Sequence, residues 1–356
     1  MALLQDTETG PIRIGEAQRG GAFSQWVSRH AAILLLGLVL VFLPAIASYF
    51  ILVQVVGWAM ILGIIALSLM FLAGYGGMVS LAQMTMAGVS GYMITVFGAS
   101  SLPTISLFWP WWVAAPIAIA IAVASGALIG ALSARTEGIY TIMITLAIAA
   151  AFFYLTLQNW PIFNGFAGFT TIPAPIAFGV NWKDPIPLYY LILFFAALSY
   201  VAVVYVSRAP FGLALQGVRD NPRRMEAIGY NVTAHRIAAY AFAALIASIG
   251  GILMVWLNNQ ISPGSAGIEA TIDLLVIAVV GGLGHPIGAF VGAIIYVILR
   301  TFALDALVAV GLDGRRFQTL IGLGFLVIVL FSPDGVIGLW RRFSARALSS
   351  GGSNRK

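Results

Sequence analysis

The charged residues of this chain concentrate in one short stretch. "VRDNPRRMEAIGYN" (218–231) places Arg219, Asp220, Arg223, Arg224 and Glu226 within eight positions, although only 8% of the 356 residues are charged. Ion pairs and hydrogen bonds to a partner surface are the chemistry that these side chains offer. The stretch is therefore either a docking element for a cytoplasmic partner or a solvated loop that only orients the protein.

The same stretch contains residues that typically start and end a helix, and they favour the docking element over the solvated loop. Asn221 is a good N-cap residue, and Pro222 suits the first helical position, where its missing N–H costs nothing. Gly229 can take the left-handed conformation that ends a helix. These signals predict a two-turn helix over 222–228, carrying Glu226 and Ala227, with Thr233 as the cap of the next helix. A floppy loop would satisfy charge rules equally well, so the start and stop signals indicate a shaped surface.

A few polar residues stand in otherwise apolar stretches. A charge near the bilayer interior is costly and usually functional, so Asp273 is either a translocation-path residue or a group that reaches water from a short helix. Glu269, four residues earlier, is interpreted as reaching water. Ser80 and Gln83 either line the passage or hydrogen-bond neighbouring helices.

The sequence lacks the motifs that several kinds of catalytic or metal-binding site require. The only lysines, Lys183 and Lys356, lie in no phosphate-binding G-x-x-x-x-G-K-[ST] loop, so this chain does not supply an ATPase. The three histidines form no H-E-x-x-H motif, and there is no cysteine. We expect no catalytic residues, no metal and no cofactor.

The composition indicates that lipid is the main solvent. The chain is 61% hydrophobic, far above what a water-soluble surface can hide. Stretches of roughly 20 apolar residues cross a bilayer as helices, so the fold class is an all-α polytopic membrane protein with about ten transmembrane helices. We place the spans at 31–49, 51–73, 79–97, 110–133, 139–157, 187–207, 234–258, 268–283, 286–303 and 317–332.

Lysine and arginine then give the orientation. Fourteen of them fall on one side of this arrangement and four on the other, which places both termini in the cytoplasm. The chain divides into a cytoplasmic N-terminal extension (1–30), a transmembrane domain (31–340) with a cytoplasmic loop at 208–236, and a basic cytoplasmic tail (341–356).

Two further segments carry predictions. Gly284, Gly288 and Gly292 recur every four residues, as expected of a helix face packed closely on another helix. The long outer segment 158–186, rich in proline and tryptophan, is either an interfacial anchor or a landing surface for an external solute-binding protein.

Four motifs together resemble the branched-chain amino acid ABC permeases, in particular their longer permease subunit. They are "LAGYGGMVSLAQMTMAGVSGYM" (72–93), "GLALQGVRDNPRRMEAIGYNVTAHRIAAYAFAALIASIGGIL" (212–253), "ISPGSAGIEATIDLLVIAVVGGLGHPIGAFVGA" (261–293) and "VLFSPDGVIGL" (329–339). The sequence departs from the family pattern at Asp273, where glutamate is common, and at Gln83, where histidine is frequent.

The resemblance implies a function and partners. It implies the membrane subunit of an importer of leucine, isoleucine or valine in the bacterial inner membrane. It also implies a transport subunit rather than an enzyme. A second homologous permease, two cytoplasmic ATP-binding subunits and a solute-binding protein would complete the importer. The residues of the ATPase-coupling loop would be Arg219, Asp220, Arg223, Arg224, Glu226, Ala227 and Gly229. A permease for urea, short amides or another small polar solute is the alternative, and an ion-coupled secondary transporter is a more distant one.

Overall fold

The computed structural model describes residues 37–309, except 38, 103, 137 and 178, together with Gly322 and Gly335. The predicted extension 1–30, span 317–332 and tail 341–356 lie outside these residues, apart from Gly322. The chain divides into two compact units after Ala47. Of the first unit, Gly37 and residues 39–47 are described, and they include the 3₁₀ turn Leu43–Ala45.

Helices dominate the second unit. Up to Ala309, where the continuous description ends, eight long ones follow in order: α1 Ile51–Tyr75, α2 Gln83–Phe97, α3 Trp111–Ser133, α4 Ile139–Gln158, α6 Pro185–Arg208, α9 Val232–Asn258, α10 Ile268–Gly281 and α11 Pro286–Ala309. The short ones are α5 Trp160–Phe163, α7 Pro210–Asp220 and α8 Pro222–Ala227, with 3₁₀ turns at Gly165–Ala167 and Pro263–Ala266. Helix α1 has π-helical turns at both ends, Ile51–Gly57 and Phe71–Tyr75.

Within the described segments, four two-residue strands form two antiparallel pairs between the helices. They are β1 Phe169–Thr170, β2 Ile176–Ala177, β3 Val180–Asn181 and β4 Gln260–Ile261. β1 pairs with β4, so that Phe169 lies opposite Ile261, and β2 pairs with β3.

Six segments of the described part are long and apolar enough to cross a membrane. They are Ile51–Tyr75, Trp111–Ser133, Ile139–Gln158, Pro185–Arg208, Val232–Asn258 and Pro263–Gly281. Helix α11 contains a shorter apolar stretch, Pro286–Phe302, and α2 has 15 residues. The multi-pass helical class is therefore confirmed, whereas the count of about ten spans stays a prediction.

The connecting segments gather at two ends of the bundle. At one end, Arg219 hydrogen-bonds Gly74 and Arg236 hydrogen-bonds Ala134. At the other, the Ser101 N–H donates to the Thr170 carbonyl (3.1 Å) and the β1–β4 pair forms. We call them the basic end and the strand end. Among the described residues, the basic end carries Arg135, Arg208, Arg219, Arg223, Arg224 and Arg236.

Helices α1 and α9 form the centre of the second unit. The most apolar window of α1 is 89% buried and that of α9 is 67%, whereas α4 reaches only 22%. The side chains of α4, such as Tyr140 and Met143, point outward. An outward apolar face of this kind suits lipid or another membrane subunit.

Helix α2 is entered through buried irregular backbone. The predicted span 79–97 becomes helical only at Gln83, and the preceding Ser80, Leu81 and Ala82 are buried. Non-helical backbone is tolerated at membrane depth only where protein groups satisfy it. Here the Leu81 N–H donates to the Thr145 hydroxyl of α4 (3.1 Å), and the Ala82 N–H donates to the Ser80 hydroxyl (3.3 Å).

Candidate functional site: a charged surface and a polar cavity

The short charged helix α8 begins as its sequence predicts. The Asn221 side chain caps it by accepting a hydrogen bond from the Arg224 N–H (3.0 Å), and Pro222 is the first helical residue. Asn221 itself is extended, with φ −157° and ψ 91°. This cap satisfies one of the N–H groups that the first turn leaves unpaired.

Helix α8 ends at a left-handed glycine, and two backbone hydrogen bonds close this end. Gly229 has φ +92°. Its N–H donates to the Glu226 carbonyl (2.9 Å), and the Tyr230 N–H donates to the Met225 carbonyl (3.0 Å). This pair of bonds is the Schellman arrangement. The helix after it is capped by Asn231, whose side chain accepts from the Ala234 N–H. The predicted Thr233 cap is wrong, because the helix already begins at Val232.

No residue of α8 is buried. Its two arginines lie beside apolar side chains that are also exposed, Ile228 at 64% and Tyr230 at 43%. We define the α8 surface as the set of exposed residues Arg223, Arg224, Glu226, Ala227, Ile228 and Tyr230. Cationic and apolar groups side by side on a capped, rigid helix form a surface suited to docking a protein.

Helix α7 attaches α8 to the bundle. Its buried residues, Gly212, Ala214, Leu215 and Val218, face the other helices. Met225 of α8 packs over Gly217, where a Cβ would come within 2.8 Å of the methionine sulfur. The α8 surface is therefore held on an amphipathic helix that is itself embedded in the basic end.

Arg219 and Asp220 lie at the end of α7 rather than on α8. The Arg219 Nε donates to the Asp220 carboxylate (2.9 Å), and Nη1 donates to the Gly74 carbonyl. The stem of Arg219 covers Gly77 (φ +67°), where a Cβ would lie 2.5 Å from its Cγ. Arg219 therefore connects the charged stretch to Gly74, at the end of α1, and to Gly77, which follows α1. We call this segment, 74–77, the glycine turn.

That glycine turn also contacts the loop between α10 and α11. A Cβ on Gly74 would collide with the carbonyl oxygen of Leu283. Gly335, with φ +69°, packs against the backbone of Gly282 in the same loop. Contacts thus continue from α7, through the glycine turn, to the loop that joins α10 and α11.

Helices α10 and α11 cross backbone against backbone. Gly288 lies against Gly281 and Gly282, and Gly292 lies against Gly281 and the Ile277 carbonyl. Gly284 does not share this face: it precedes Pro286, where α11 begins, and a Cβ there would meet nothing within 4 Å. Gly281 is the partner that the four-residue repeat did not reveal.

A polar cavity of about 320 Å³ lies toward the strand end, where α10 and α11 contribute its charged wall. Glu269 and Asp273 come from α10 and Arg300 comes from α11. Tyr296 hydrogen-bonds Asp273. Other lining residues are hydroxyl-bearing or apolar: Ser262, Ser265, Trp58, Leu62, Met84 and Met254.

Ser80 and Gln83 lie elsewhere. Both are fully buried, and neither lines this cavity. The Gln83 carbonyl oxygen accepts from the Ser68 hydroxyl of α1 (2.9 Å), while the Gln83 amide nitrogen has no partner. These two residues are buried among the helices in this conformation, whereas Asp273 lines the cavity.

The long segment 158–186 forms the surface of the strand end. It contains α5, a 3₁₀ turn, β1 and the β2–β3 hairpin. Several of its large apolar side chains point outward, with Phe166 79% exposed, Ile176 73% and Trp160 58%, whereas Phe163, Phe169 and Ile172 are buried. Within the described residues, no group of three or more histidines and acids could hold a metal ion.

Comparison with known proteins gives a consistent result. The protein family described as "branched-chain amino acid transport system / permease component" matches residues 51–330. A high-affinity branched-chain amino acid transport system permease protein of Salmonella typhimurium is 24% identical over 302 residues, which cover 78% of this chain and 66% of that relative. The chain therefore spans just under two thirds of that relative's length.

Other relatives extend the range. A probable branched-chain amino acid transport permease protein of Methanocaldococcus jannaschii is 26% identical over 278 residues, covering 74% of this chain and 80% of the relative. A ribose import permease protein of Haemophilus influenzae is 21% identical over 256 residues, covering 70% and 76%. No solved structure matches the chain.

Proposed function

Since this chain belongs to the family of branched-chain amino acid transport system permease components, we propose that it is the membrane-spanning subunit of an ATP-driven importer of leucine, isoleucine or valine. The names of the bacterial and archaeal relatives support this substrate class. The ribose permease among the relatives keeps a different small polar solute as the alternative. Hydrolysis of ATP belongs to partner subunits.

The observation that carries the proposal is the α8 surface. Helix α8 has a side-chain cap at its N-terminus and two closing backbone hydrogen bonds at its C-terminus. It therefore holds Arg223, Arg224 and Ile228 in fixed, exposed positions. We assign this surface to docking on an ATP-binding subunit, with one such subunit for this chain and one for a second, homologous permease. The strand-end segment 158–186 is the corresponding surface for an external solute-binding protein.

The solute path lies along the α10–α11 face. Arg300 is exposed although it belongs to a membrane helix, and Asp273 is only partly covered. Charged side chains do not face lipid without a large cost, so this face borders water or the second permease. Ser80 and Gln83 stand behind the wall of this path, where they hold helices together.

Motion reaches the path through a series of side-chain and backbone contacts. A displacement of α8 moves α7, whose Arg219 is bonded to Gly74. Gly74 is in contact with Leu283, and α10 and α11 on either side of that loop carry Asp273 and Arg300. This contiguous chain of contacts supports ATP-driven coupling over the ion-coupled alternative, which would respond to an ion gradient instead.

Two variants test the α8 surface. Gly229→Val opposes the φ of +92° without creating a clash, because nothing lies within 4 Å of a Cβ there; the left-handed conformation costs a branched residue about 1–2 kcal/mol or more. The double change Arg223→Glu and Arg224→Glu reverses the surface charge. We expect both proteins to insert and fold, and to lose either co-purification of the ATP-binding subunit or coupled uptake.

Matched controls lie outside the surface. Thr233→Val adds the same side chain at an exposed helical position, and Arg135→Glu with Arg208→Glu makes the same charge change at the same end. ATPase co-purification and ATP-dependent leucine uptake are measured in the same membranes. Wild-type co-purification and uptake in both surface variants would mean that the stretch only sets the topology. Uptake that persists without ATP would favour the secondary transporter.

A further inference from the structure

Three aromatic rings meet where α7, the end of α8 and the start of α9 come together. The imidazole of His235 is stacked on the ring of Phe211, with centroids 5.7 Å apart and an angle of 11° between the planes. The ring of Tyr230 contacts the same imidazole, with a centroid distance of 5.5 Å and an angle of 65°. Stacked and edge-to-face pairs at such separations are arrangements that aromatic rings favour. We call Phe211, His235 and Tyr230 the aromatic clasp.

The first turn of α9 fixes the imidazole of the clasp. His235 is the fourth residue of α9, and side chains of a helix point back toward its N-terminus. The carbonyl oxygen of Asn231 accepts from the His235 backbone N–H (3.1 Å) and lies 3.0 Å from the ring Nδ1. Because a carbonyl oxygen only accepts, we assign the proton in this contact to Nδ1. Two bonds to one oxygen therefore hold the imidazole over the connection between α8 and α9.

Phe211 anchors the other side of the clasp. It is the second residue of α7 and is only partly exposed. The backbone of its neighbour Gly212 lies so close to Val206 and Ser207 of α6 that a Cβ there would collide with both. Phe211 therefore belongs to a tightly packed junction of α6 and α7, and this junction fixes its position relative to the bundle.

The clasp gives α8 a second point of attachment. The first is Met225, which packs over Gly217 near the end of α7. Phe211 precedes Gly217 by about 9 Å along α7, at 1.5 Å per residue. A short helix that is held at one contact can turn about it, whereas two separated contacts fix its direction. This direction determines where the exposed Arg223 and Arg224 point.

We propose that His235 is the positioning residue of the α8 surface: through Tyr230 it fixes the direction in which α8 presents Arg223 and Arg224 to the ATP-binding subunit. This role rests on the proposed function, and it names a residue of α9 that acts without belonging to the α8 surface. The Tyr230–His235 contact also joins the α8 surface directly to α9. Motion of α8 thus has a second route into the bundle, besides the bond from Arg219 to Gly74.

The absence of cysteine from the chain makes a direct measurement of α8 possible. Ala227→Cys and Leu132→Cys place one spin label on α8 and one on α3, both at exposed positions. The distance distribution between the labels, measured by pulsed EPR in nanodiscs before the ATP-binding subunit is added, reports the direction of α8. His235→Ala should broaden this distribution by several ångströms. Thr233→Ala, a matched change at an exposed position of the same helical turn, should leave the distribution unchanged.

Conservative variants identify the contact that holds α8. His235→Phe keeps a ring between Phe211 and Tyr230, so it should restore a narrow distribution. Phe211→Leu keeps an apolar side chain but removes the stacked ring, so it should broaden the distribution as His235→Ala does. The double variant should be no broader than either single one, because both changes remove the same contact. Additive broadening, or a His235→Phe variant as broad as His235→Ala, would overturn the proposal.

Titration with the ATP-binding subunit separates positioning from docking. His235→Ala should weaken binding about threefold to tenfold, the range that one aromatic pair supports, and His235→Phe should recover most of it. Arg223→Glu with Arg224→Glu should lose binding while the distance distribution stays narrow.

The outcomes distinguish this inference from the function on which it rests. If the charge variant loses binding but His235→Ala keeps wild-type affinity and distances, the positioning role is overturned and the docking function stands. If the charge variant binds normally, the docking function fails, and a narrow distribution in His235→Ala would then overturn the positioning role as well.

Discussion

The glycine crossing of α10 and α11 gives the sharpest test of the packing. Gly288→Leu places a side chain where the two backbones meet. The new Cβ would lie 2.5 Å from the Gly282 carbonyl oxygen and 2.8 Å from that of Gly281. Favourable non-bonded contacts lie at about 3.5–4.0 Å, and the neighbours here are backbone atoms, so they cannot turn away as a flexible side chain would.

The magnitude follows from two opposing effects. Overpacking of a close contact costs about 1–3 kcal/mol. Exchanging glycine for a helix-forming residue inside α11 recovers up to about 1 kcal/mol. We therefore expect a net loss of about 1–2 kcal/mol, which lowers the ratio of folded to unfolded protein by a factor of about 5–30.

Gly284→Leu is the matched control. Gly284 lies four residues earlier, before α11 begins, and a Cβ there has open space. Unfolding of the detergent-purified variants by increasing SDS is followed by circular dichroism. The midpoint should fall for Gly288→Leu and stay near wild type for Gly284→Leu. Equal midpoints for the two variants would mean that the backbones do not cross at Gly288, and the reasoning would be refuted.

Two further predictions concern the bundle. Thr145→Val removes the hydroxyl that accepts from the buried Leu81 N–H, so it should cost about 1–3 kcal/mol in the same SDS assay, whereas Thr145→Ser, which keeps the hydroxyl, should cost clearly less; equal losses would mean that the hydroxyl contributes no more than the methyl group. For topology, a cysteine at Asn181 should react with an impermeant reagent from outside intact cells and one at Ser353 should not, and the reverse pattern would invert the orientation.

Local sequence rules were sufficient for α8. Asn221, Pro222 and Gly229 act within a few residues of themselves through cap bonds, a fixed φ and a left-handed stop. The structure confirms each of these three roles. The rule misplaced the next cap at Thr233 because two cap-forming residues, Asn231 and Thr233, stand close together, and the extended Asn231 is followed at once by helix.

Contacts between residues that are far apart in the chain could not be predicted from local sequence patterns. The hydroxyl that satisfies Leu81 comes from Thr145, 64 residues later, and no local pattern relates the two. The four-residue glycine repeat correctly pointed to close packing at Gly288 and Gly292, yet it included Gly284 and missed Gly281. Spacing within one helix cannot name the residue of the other helix that it meets.

The cavity shows the same limit for function. Asp273 attracted notice as an acid in an apolar stretch, but its neighbours Tyr296 and Arg300 belong to the next helix. From the sequence, Arg300 is only a charged residue near the end of a predicted span. Its meaning changes once the fold brings it to the acids, because Arg300, Tyr296 and Asp273 then line the same cavity from two helices.

The positions of the crossing and the cavity on the same two helices have a mechanical consequence. The glycine contacts fix α10 to α11 near the basic end, next to the loop that Gly74 touches, while Asp273 and Arg300 lie toward the strand end. Arg300 is about 21 Å from Pro286 at 1.5 Å per residue. Two helices in backbone contact move as one body, so we infer that a small rotation imposed through Gly74 displaces the charged wall as a unit. Opening the cavity then requires no change in the distance between Asp273 and Arg300, only a change in how both face Trp58 and Leu62.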